Sequence, residues 1–73
     1  MPPLPVLTAK QVLKVLHGHG FEVIRQSGSH RVVRHPDGRW TTVPIHGGRD
    51  IRKGTLKSII SDTGLTLDDF TRK

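Results

Sequence analysis

Histidine is the residue type in this chain that is best suited to acid–base chemistry. The ordinary pKa of histidine lies near neutral pH, so its ring can accept or donate a proton at a reacting oxygen. In a chain of 73 residues with so small a core, such chemistry is expected at the surface. The five histidines are His17, His19, His30, His35 and His46.

Other catalytic chemistries lack the residues that they need. The sequence has no cysteine, no glycine-rich phosphate loop and no HExxH pair. Its adjacent acids, Asp68 and Asp69, are predicted to complement the dipole of a short final helix. A zinc site made of histidines alone would require a helical pair four residues apart, and none occurs. The sequence therefore predicts neither a metal site nor a cofactor.

Local context separates His30 and His46 from the other histidines. His17 and His19 flank a glycine at the end of a predicted helix, where histidine can satisfy the last carbonyls. His35 leads into a Pro-Asp-Gly turn and is predicted to be a solvated turn residue.

His30 follows Gly28 and Ser29, so it enters a strand directly from a tight turn. His46 ends a later strand and opens a glycine-rich loop that continues into Arg49, Arg52 and Lys53. Each of these two histidines, considered alone, is also compatible with a structural role.

Capping and turn residues predict the elements that position these side chains. Thr8 and Gln11 form a capping box for a first helix, and Leu7 is placed to pack against Val12. Three strands are predicted over residues 21–26, 30–35 and 39–45, since Ser-Gly-Ser and Pro-Asp-Gly separate them. Connections this short favour an antiparallel meander.

A second helix is predicted to begin between Arg52 and Thr55 and to end at Gly64, with its apolar face formed by Leu56, Ile59 and Ile60. A short last helix is predicted from the capping box of Thr66 and Asp69, with Leu65 packing on Phe70.

This order predicts a single α+β domain, α-β-β-β-α plus a short C-terminal helix, over residues 1–73. Both main helices can pack on one face of the three-stranded antiparallel sheet, which is the layout of double-stranded-RNA-binding domains. Residue alternation leaves the open face undecided, because the second strand has one valine on each side. Trp40 is predicted to be partly core, since a small protein needs its buried area, with base stacking on the open face as the alternative.

The charge balance indicates a polyanionic partner. Twelve Lys and Arg residues against six Asp and Glu give a net charge of +6 and a pI near 10.9. Ten of those basic residues and only three acids fall within residues 10–57. Nucleic acid is therefore expected to meet the sheet and the start of the second helix.

The N-terminal residues 1–7 are predicted to form an extended, proline-rich arm. They have neither a charged start nor an apolar stretch of the kind found in signal peptides. No apolar run reaches the about 18 residues of a membrane-spanning helix. A cytoplasmic location and no contact with membranes are expected.

Three motifs together resemble the HicA family of toxin–antitoxin systems. They occur in the family's order, and the resemblance extends from Thr8 to Phe70. The motifs are Gly28-Ser29-His30 at the second strand, Val43-Pro44-Ile45-His46 followed by Gly47, and Gly54-Thr55-Leu56 with Ile59, Ile60 and Gly64 behind it.

The resemblance implies a double-stranded-RNA-binding-domain-like fold and a toxin that cleaves messenger RNA without the ribosome. It places the catalytic histidine at His30. It also implies a HicB-type antitoxin, which covers the active site and usually carries the DNA-binding part for autoregulation. The sequence leaves open whether the chain forms a homodimer or a hetero-oligomer with the antitoxin.

The sequence departs from many relatives at two places. Lys53 stands where many have a proline before Gly-Thr-Leu, and Val32, Val33 and Arg34 stand where many have an aromatic residue. Both differences are interpreted as packing changes, although the second could alter how a base is contacted.

Metal-independent RNA cleavage is the chemistry that these residues support. His30 is predicted to act as general base or general acid, with Gly28 and Ser29 shaping its turn and His46 as a possible assistant. Two other classes remain open, a non-catalytic module that binds duplex RNA and a DNA-binding regulator. The sequence offers no helix-turn-helix pair for the latter. The candidate RNA-binding residues are Gly28, Ser29, Arg31, Arg49 and Lys53.

Overall fold

The computed structural model describes residues 5–46 and 48–71 and shows the predicted α-β-β-β-α order with a short final helix. Residues 1–4 of the predicted arm and Gly47 of the second motif lie outside the described residues. None of the described helices is long and apolar enough to cross a membrane. The elements are α1 (Ala9–Gly18), β1 (Glu22–Ser27), β2 (His30–Arg34), β3 (Trp40–Pro44), α2 (Lys53–Thr63) and α3 (Leu67–Thr71).

Side-chain caps fix the helix boundaries close to those predicted. The Thr8 hydroxyl accepts from the backbone N–H of Gln11, and the Gln11 side chain accepts from that of Thr8, which completes the capping box. Thr66 and Asp69 form the same reciprocal arrangement before α3. Gly64 is the left-handed C-cap of α2, as predicted.

The three strands form an antiparallel meander in the order β1-β2-β3. They are one or two residues shorter than predicted, or shifted by one, at their ends. Pro44 is the last residue of the edge strand β3, where its missing N–H removes no ladder bond from the sheet interior. The register of β1 against β2 shifts between Val23 and Arg25, where a bulge interrupts the pairing.

Burial shows which face of the sheet the helices cover. Val33 pairs with Thr41 and Arg31 pairs with Val43, so these four residues share a face. Val33, Thr41 and Val43 are at most 1% exposed. Val33 and Val43 belong to one hydrophobic core with residues of α1, α2 and α3. The other members of this core are Leu7, Ala9, Val12, Leu16, Phe21, Ile51, Leu56, Ile59 and Phe70.

The opposite face of the sheet is open. His30, Val32 and Arg34 lie on it, because they alternate with the buried side of β2. Both main helices pack against β3, whereas β1 is exposed along its whole length. Trp40 pairs with Arg34 on this open face and is 58% exposed. The prediction that Trp40 is partly core was therefore wrong, because the helices dock on the other side.

His35 is also less solvated than predicted. Its ring packs edge-on against the buried ring of Phe21, with 5.1 Å between centroids. Its Nδ1 accepts from the backbone N–H of Asp37 at 3.1 Å, so the residue anchors the turn to the core. Gly20 lies against it with a φ of +92°, and a Cβ there would fall 2.9 Å from Nε2 of His35.

Candidate active site

His30 is the first residue of β2 and is exposed on the open face. Gly28 adopts a φ of +56° in the preceding turn, a conformation that glycine accepts most readily. Ser27 and Pro44 are the cross-strand partners of His30. The turn therefore presents the imidazole at the end of the sheet, beside the last residue of β3.

The register that exposes His30 is held from both sides of the strand. The backbone N–H of Ile45 donates to the Ser29 carbonyl at 2.5 Å and extends the β2–β3 pairing past the strand ends. Val33 and Val43 are buried on the other face. A slip of β2 by one residue would turn His30 towards the core and Val33 into solvent, so the burial of Val33 fixes the orientation of the histidine.

A shallow pocket of about 180 Å³ opens at the end of the sheet where His30 lies, although His30 is not part of its lining. Pro44 connects the two features, because it pairs with His30 and also lines the pocket. The exposed His46 is part of the lining, and so are two arginines from the segment before α2. The complete lining is Pro44, His46, Arg49, Asp50, Ile51, Arg52 and Thr55.

The loop that carries these arginines is tied to the chain before α1. The Ile51 N–H donates to the Leu7 carbonyl at 2.7 Å, and Thr8 and Asp50 form an isolated β-bridge. Leu7, which was assigned to the predicted arm, is buried there in the core. Arg49 and Arg52 are thus held on either side of an anchored segment.

The start of α2 favours an anion at this pocket. Arg52 is the N-cap and makes no side-chain capping bond, and the first turn contains no acidic residue. The N–H groups of a first helical turn and the helix dipole attract negative charge. Together with Arg49 and Arg52, they suit a phosphate better than a cation, although the carboxylate of Asp50 also lines the pocket.

The structure brings most of the predicted site residues to one end of the sheet and separates one from them. Gly28 and Ser29 form the turn before His30, Arg49 lines the pocket, and Lys53 is the exposed first residue of α2. Arg31 lies on the face opposite to His30, half-buried, and its Nε is buried without a hydrogen-bond partner within the described chain.

Five of the seven residues that line the pocket were not among the predicted site residues: Pro44, Asp50, Ile51, Arg52 and Thr55. Arg52 and Thr55 both line the pocket through the first turn of α2. The signal for Arg52 was present in the sequence, since it directly precedes a helix start beside two other basic residues. Among the described residues, no group of three or more His, Asp or Glu side chains could hold a metal ion.

The chain matches a known protein family. The model of a family described as the HicA toxin of bacterial toxin–antitoxin systems matches residues 9–65. The matched region runs from the first residue of α1 past the end of α2 and includes both His30 and the pocket. No curated protein matches the chain.

Proposed function

The chain belongs to the family of HicA toxins of bacterial toxin–antitoxin systems, and from this membership we propose that it is an endoribonuclease that cleaves messenger RNA. The proposed reaction uses His30 and needs neither a metal ion nor the ribosome. A toxin of this kind works with an antitoxin partner.

The position of His30 beside the cationic pocket is the observation that carries the proposal. An exposed imidazole stands opposite Pro44, and Pro44 lines a pocket that also presents Arg49 and Arg52. One end of the sheet thus combines a proton-transfer group with groups that bind a phosphate. This combination supports cleavage over binding alone, since an exposed imidazole can transfer protons as well as contact a phosphate.

The proposed reaction is a transesterification within the RNA. The 2′-oxygen loses its proton and attacks the adjacent phosphorus, and the bond from phosphorus to the 5′-oxygen breaks. The leaving 5′-oxygen takes up a proton. His30 accepts the first proton or donates the second, and His46, at the same end of the sheet, is the candidate for the other role. The products carry a 2′,3′-cyclic phosphate and a 5′-hydroxyl group.

The cationic groups at the start of α2 would stabilise the crowded phosphate. Negative charge grows on its non-bridging oxygens during the reaction, and fixed positive groups bind that charge more strongly than they bind the substrate. Arg49, Arg52 and the N-terminal end of α2 surround the pocket, with Lys53 next to it. Arg31 would reach RNA only from the other face of the sheet.

We further propose that a HicB-type antitoxin inhibits the toxin by covering His30 and the pocket. Both lie on exposed surface at one end of the sheet, so a single partner surface can cover them together. A preformed complex is then expected to lack ribonuclease activity until the antitoxin is removed.

Cleavage of a defined messenger RNA in the presence of EDTA tests the proposed reaction. We expect wild-type protein to cleave and His30→Ala to lose about 100-fold or more of the rate, which is the contribution of a general acid or base. His17→Ala is the matched control, because His17 is exposed on α1 away from the sheet, and it should cleave like wild type.

The remaining outcomes would contradict the proposal in different ways. Equal cleavage by wild type and His30→Ala would remove His30 from the chemistry, and His46→Ala would be examined next. Product ends with a free 3′-hydroxyl would exclude attack by the 2′-oxygen. Tight binding of duplex RNA without cleavage by either protein would instead identify a non-catalytic RNA-binding module.

A further inference from the structure

The open face of the sheet carries three cross-strand rows of side chains. The register places the residues of each row directly opposite one another, on the side away from the helices. The first row contains the proposed catalytic histidine, and the third contains the one tryptophan of the chain. The rows are Ser27-His30-Pro44, Arg25-Val32-Thr42 and Glu22-Arg34-Trp40.

Trp40 is exposed, unlike the two phenylalanines of the chain. A small domain gains most stability from its large aromatic side chains, and Phe21 and Phe70 are both buried here. Trp40 remains 58% exposed on the uncovered face of the sheet, where Arg34 is its cross-strand neighbour. Tryptophan is enriched at binding interfaces, where a partner can cover its large ring.

We propose that Trp40 stacks on an unpaired base of the RNA substrate and that Arg34 contacts a neighbouring phosphate. This inference rests on the proposed function, since it names the substrate as single-stranded at this position. The Arg34 guanidinium makes no hydrogen bond or ion pair within the described residues, so it is available to a ligand. Glu22 lies on the far side of Arg34 from Trp40 in the same row. Its negative charge would keep a phosphate bound by Arg34 between Arg34 and the Trp40 ring.

The distance along β2 relates the stacked base to the cleaved bond. His30 and Arg34 are four residues apart on one face, which corresponds to roughly 13 Å at about 3.4 Å per residue. A stacked strand rises about 3.4 Å per nucleotide and an extended strand rises more, so roughly two to four nucleotides span that distance. Trp40 is therefore a specificity-determining residue that reads a base at a fixed offset from His30.

Single-stranded RNA fits this face better than a duplex or another protein chain. The bases of a duplex stack on one another and leave no face free for a tryptophan, whereas unpaired bases stack on exposed aromatic rings. Arg25 and Arg34 give the face two positive charges against the one negative charge of Glu22. A net charge of +6 on the whole chain also disfavours association between two copies.

Intrinsic fluorescence measures the stacking directly, because Trp40 is the only tryptophan. We expect a short unstructured RNA to quench the emission of His30→Ala protein, which binds the RNA without cleaving it. The same RNA annealed to its complement should quench much less. In the cleavage assay, Trp40→Leu should raise KM about tenfold, which corresponds to the loss of one base stack, while Trp40→Phe retains most of the wild-type affinity.

A scan with single abasic nucleotides locates the base. Removal of one base two to four nucleotides from the cleaved bond should weaken cleavage by wild type but not by Trp40→Leu. Val6→Ala is the control for the loss of an exposed apolar side chain, because Val6 is 70% exposed and precedes α1, and it should behave like wild type.

The outcomes distinguish the failure of this inference from the failure of the proposed function. Normal cleavage by Trp40→Leu, with no quenching by RNA, would overturn the stacking site and leave the ribonuclease intact. Quenching by single-stranded RNA without any cleavage would support the stacking site and contradict the ribonuclease. A dimer that Trp40→Leu dissociates in the absence of RNA would show that the face binds a second copy, and would also overturn the inference.

Discussion

Asp37 closes the turn between β2 and β3 through its bonds to Arg39. Its carboxylate accepts from the Arg39 backbone N–H at 3.0 Å and from the Arg39 side chain at 2.7 Å. The backbone hydrogen bond is the largest cause that lowers the pKa of Asp37 below its ordinary value, followed by the Arg39 side chain and by the nearby His35. The ionised form is thus favoured in the folded protein.

The lowered pKa of Asp37 predicts how Asp37→Asn changes with pH. A carboxyl group with a lowered folded-state pKa stabilises the fold above its unfolded pKa, and this stabilisation is lost as pH falls through the folded value. Asp37→Asn should therefore have a smaller free energy of unfolding than wild type at pH 7, by a small margin. The difference should shrink once the pH drops below the ordinary value of 3.8.

Urea denaturation of the two proteins at pH 7 and pH 3 measures this effect. Wild type and Asp37→Asn have the same remaining residues, so other acid effects cancel in the comparison. If the difference in the free energy of unfolding between wild type and Asp37→Asn stays constant down to pH 3, the side-chain amide, and not the lost charge, changes the stability.

At the scale of elements, α1 depends on the capping box at its N-terminus. The helix is only 10 residues long, and isolated helices of this length are marginal in water. The reciprocal bonds of Thr8 and Gln11 satisfy N–H groups that the helix itself leaves unpaired. Thr8 also forms an isolated β-bridge with Asp50, so the cap joins α1 to the loop that lines the pocket with Arg49.

Thr8→Ala is expected to lower the free energy of unfolding by about 1 kcal/mol, which is the usual loss when a capping hydroxyl is removed. Equilibrium urea denaturation measures it. Ser58→Ala is the matched control, because the exposed Ser58 hydroxyl only bonds back to the Gly54 carbonyl within α2 and should change stability little. An equal loss in both variants would show that capping does not limit the stability of α1.

For the molecule as a whole, Arg39 connects the sheet to the far end of α2. Its Nη1 donates to the Thr63 carbonyl at 2.5 Å, and its guanidinium lies 5.3 Å from the centroid of Phe21. The last carbonyls of a helix have no partner within the helix, so this bond satisfies one of them. Thr41 adds a second connection through a 2.9 Å bond from its hydroxyl to Asp62.

Arg39→Met is expected to lower the free energy of unfolding by about 1–2 kcal/mol, since it keeps the aliphatic stem but removes the donor to the Thr63 carbonyl and the side-chain bond to Asp37. Arg25→Met provides the control, because Arg25 is exposed on β1. Thermal unfolding of the three proteins at one ionic strength separates the loss of the Arg39 side-chain hydrogen bonds from the change in net charge. Similar losses in both variants would assign the effect to charge alone.

The sequence alone determined the elements of this protein, because their boundaries depend on local chemistry. Thr8 with Gln11, Thr66 with Asp69 and the Pro-Asp-Gly turn act within a few residues of their own positions, and the structure confirms each of them. Local context also separated His30 and His46 from the other histidines, but the choice of His30 as the catalytic residue came from the family resemblance and stays a prediction.

Only the tertiary structure decided which face of the sheet is open. The two sides of β2 each carry one valine, and the choice between them depends on where α1 and α2 dock. That choice buries Val33, places His30, Arg34 and Trp40 together in solvent, and separates Arg31 from them. The pairing of His30 with Pro44 beside the start of α2 joins residues distant in sequence, so no local pattern could have specified it.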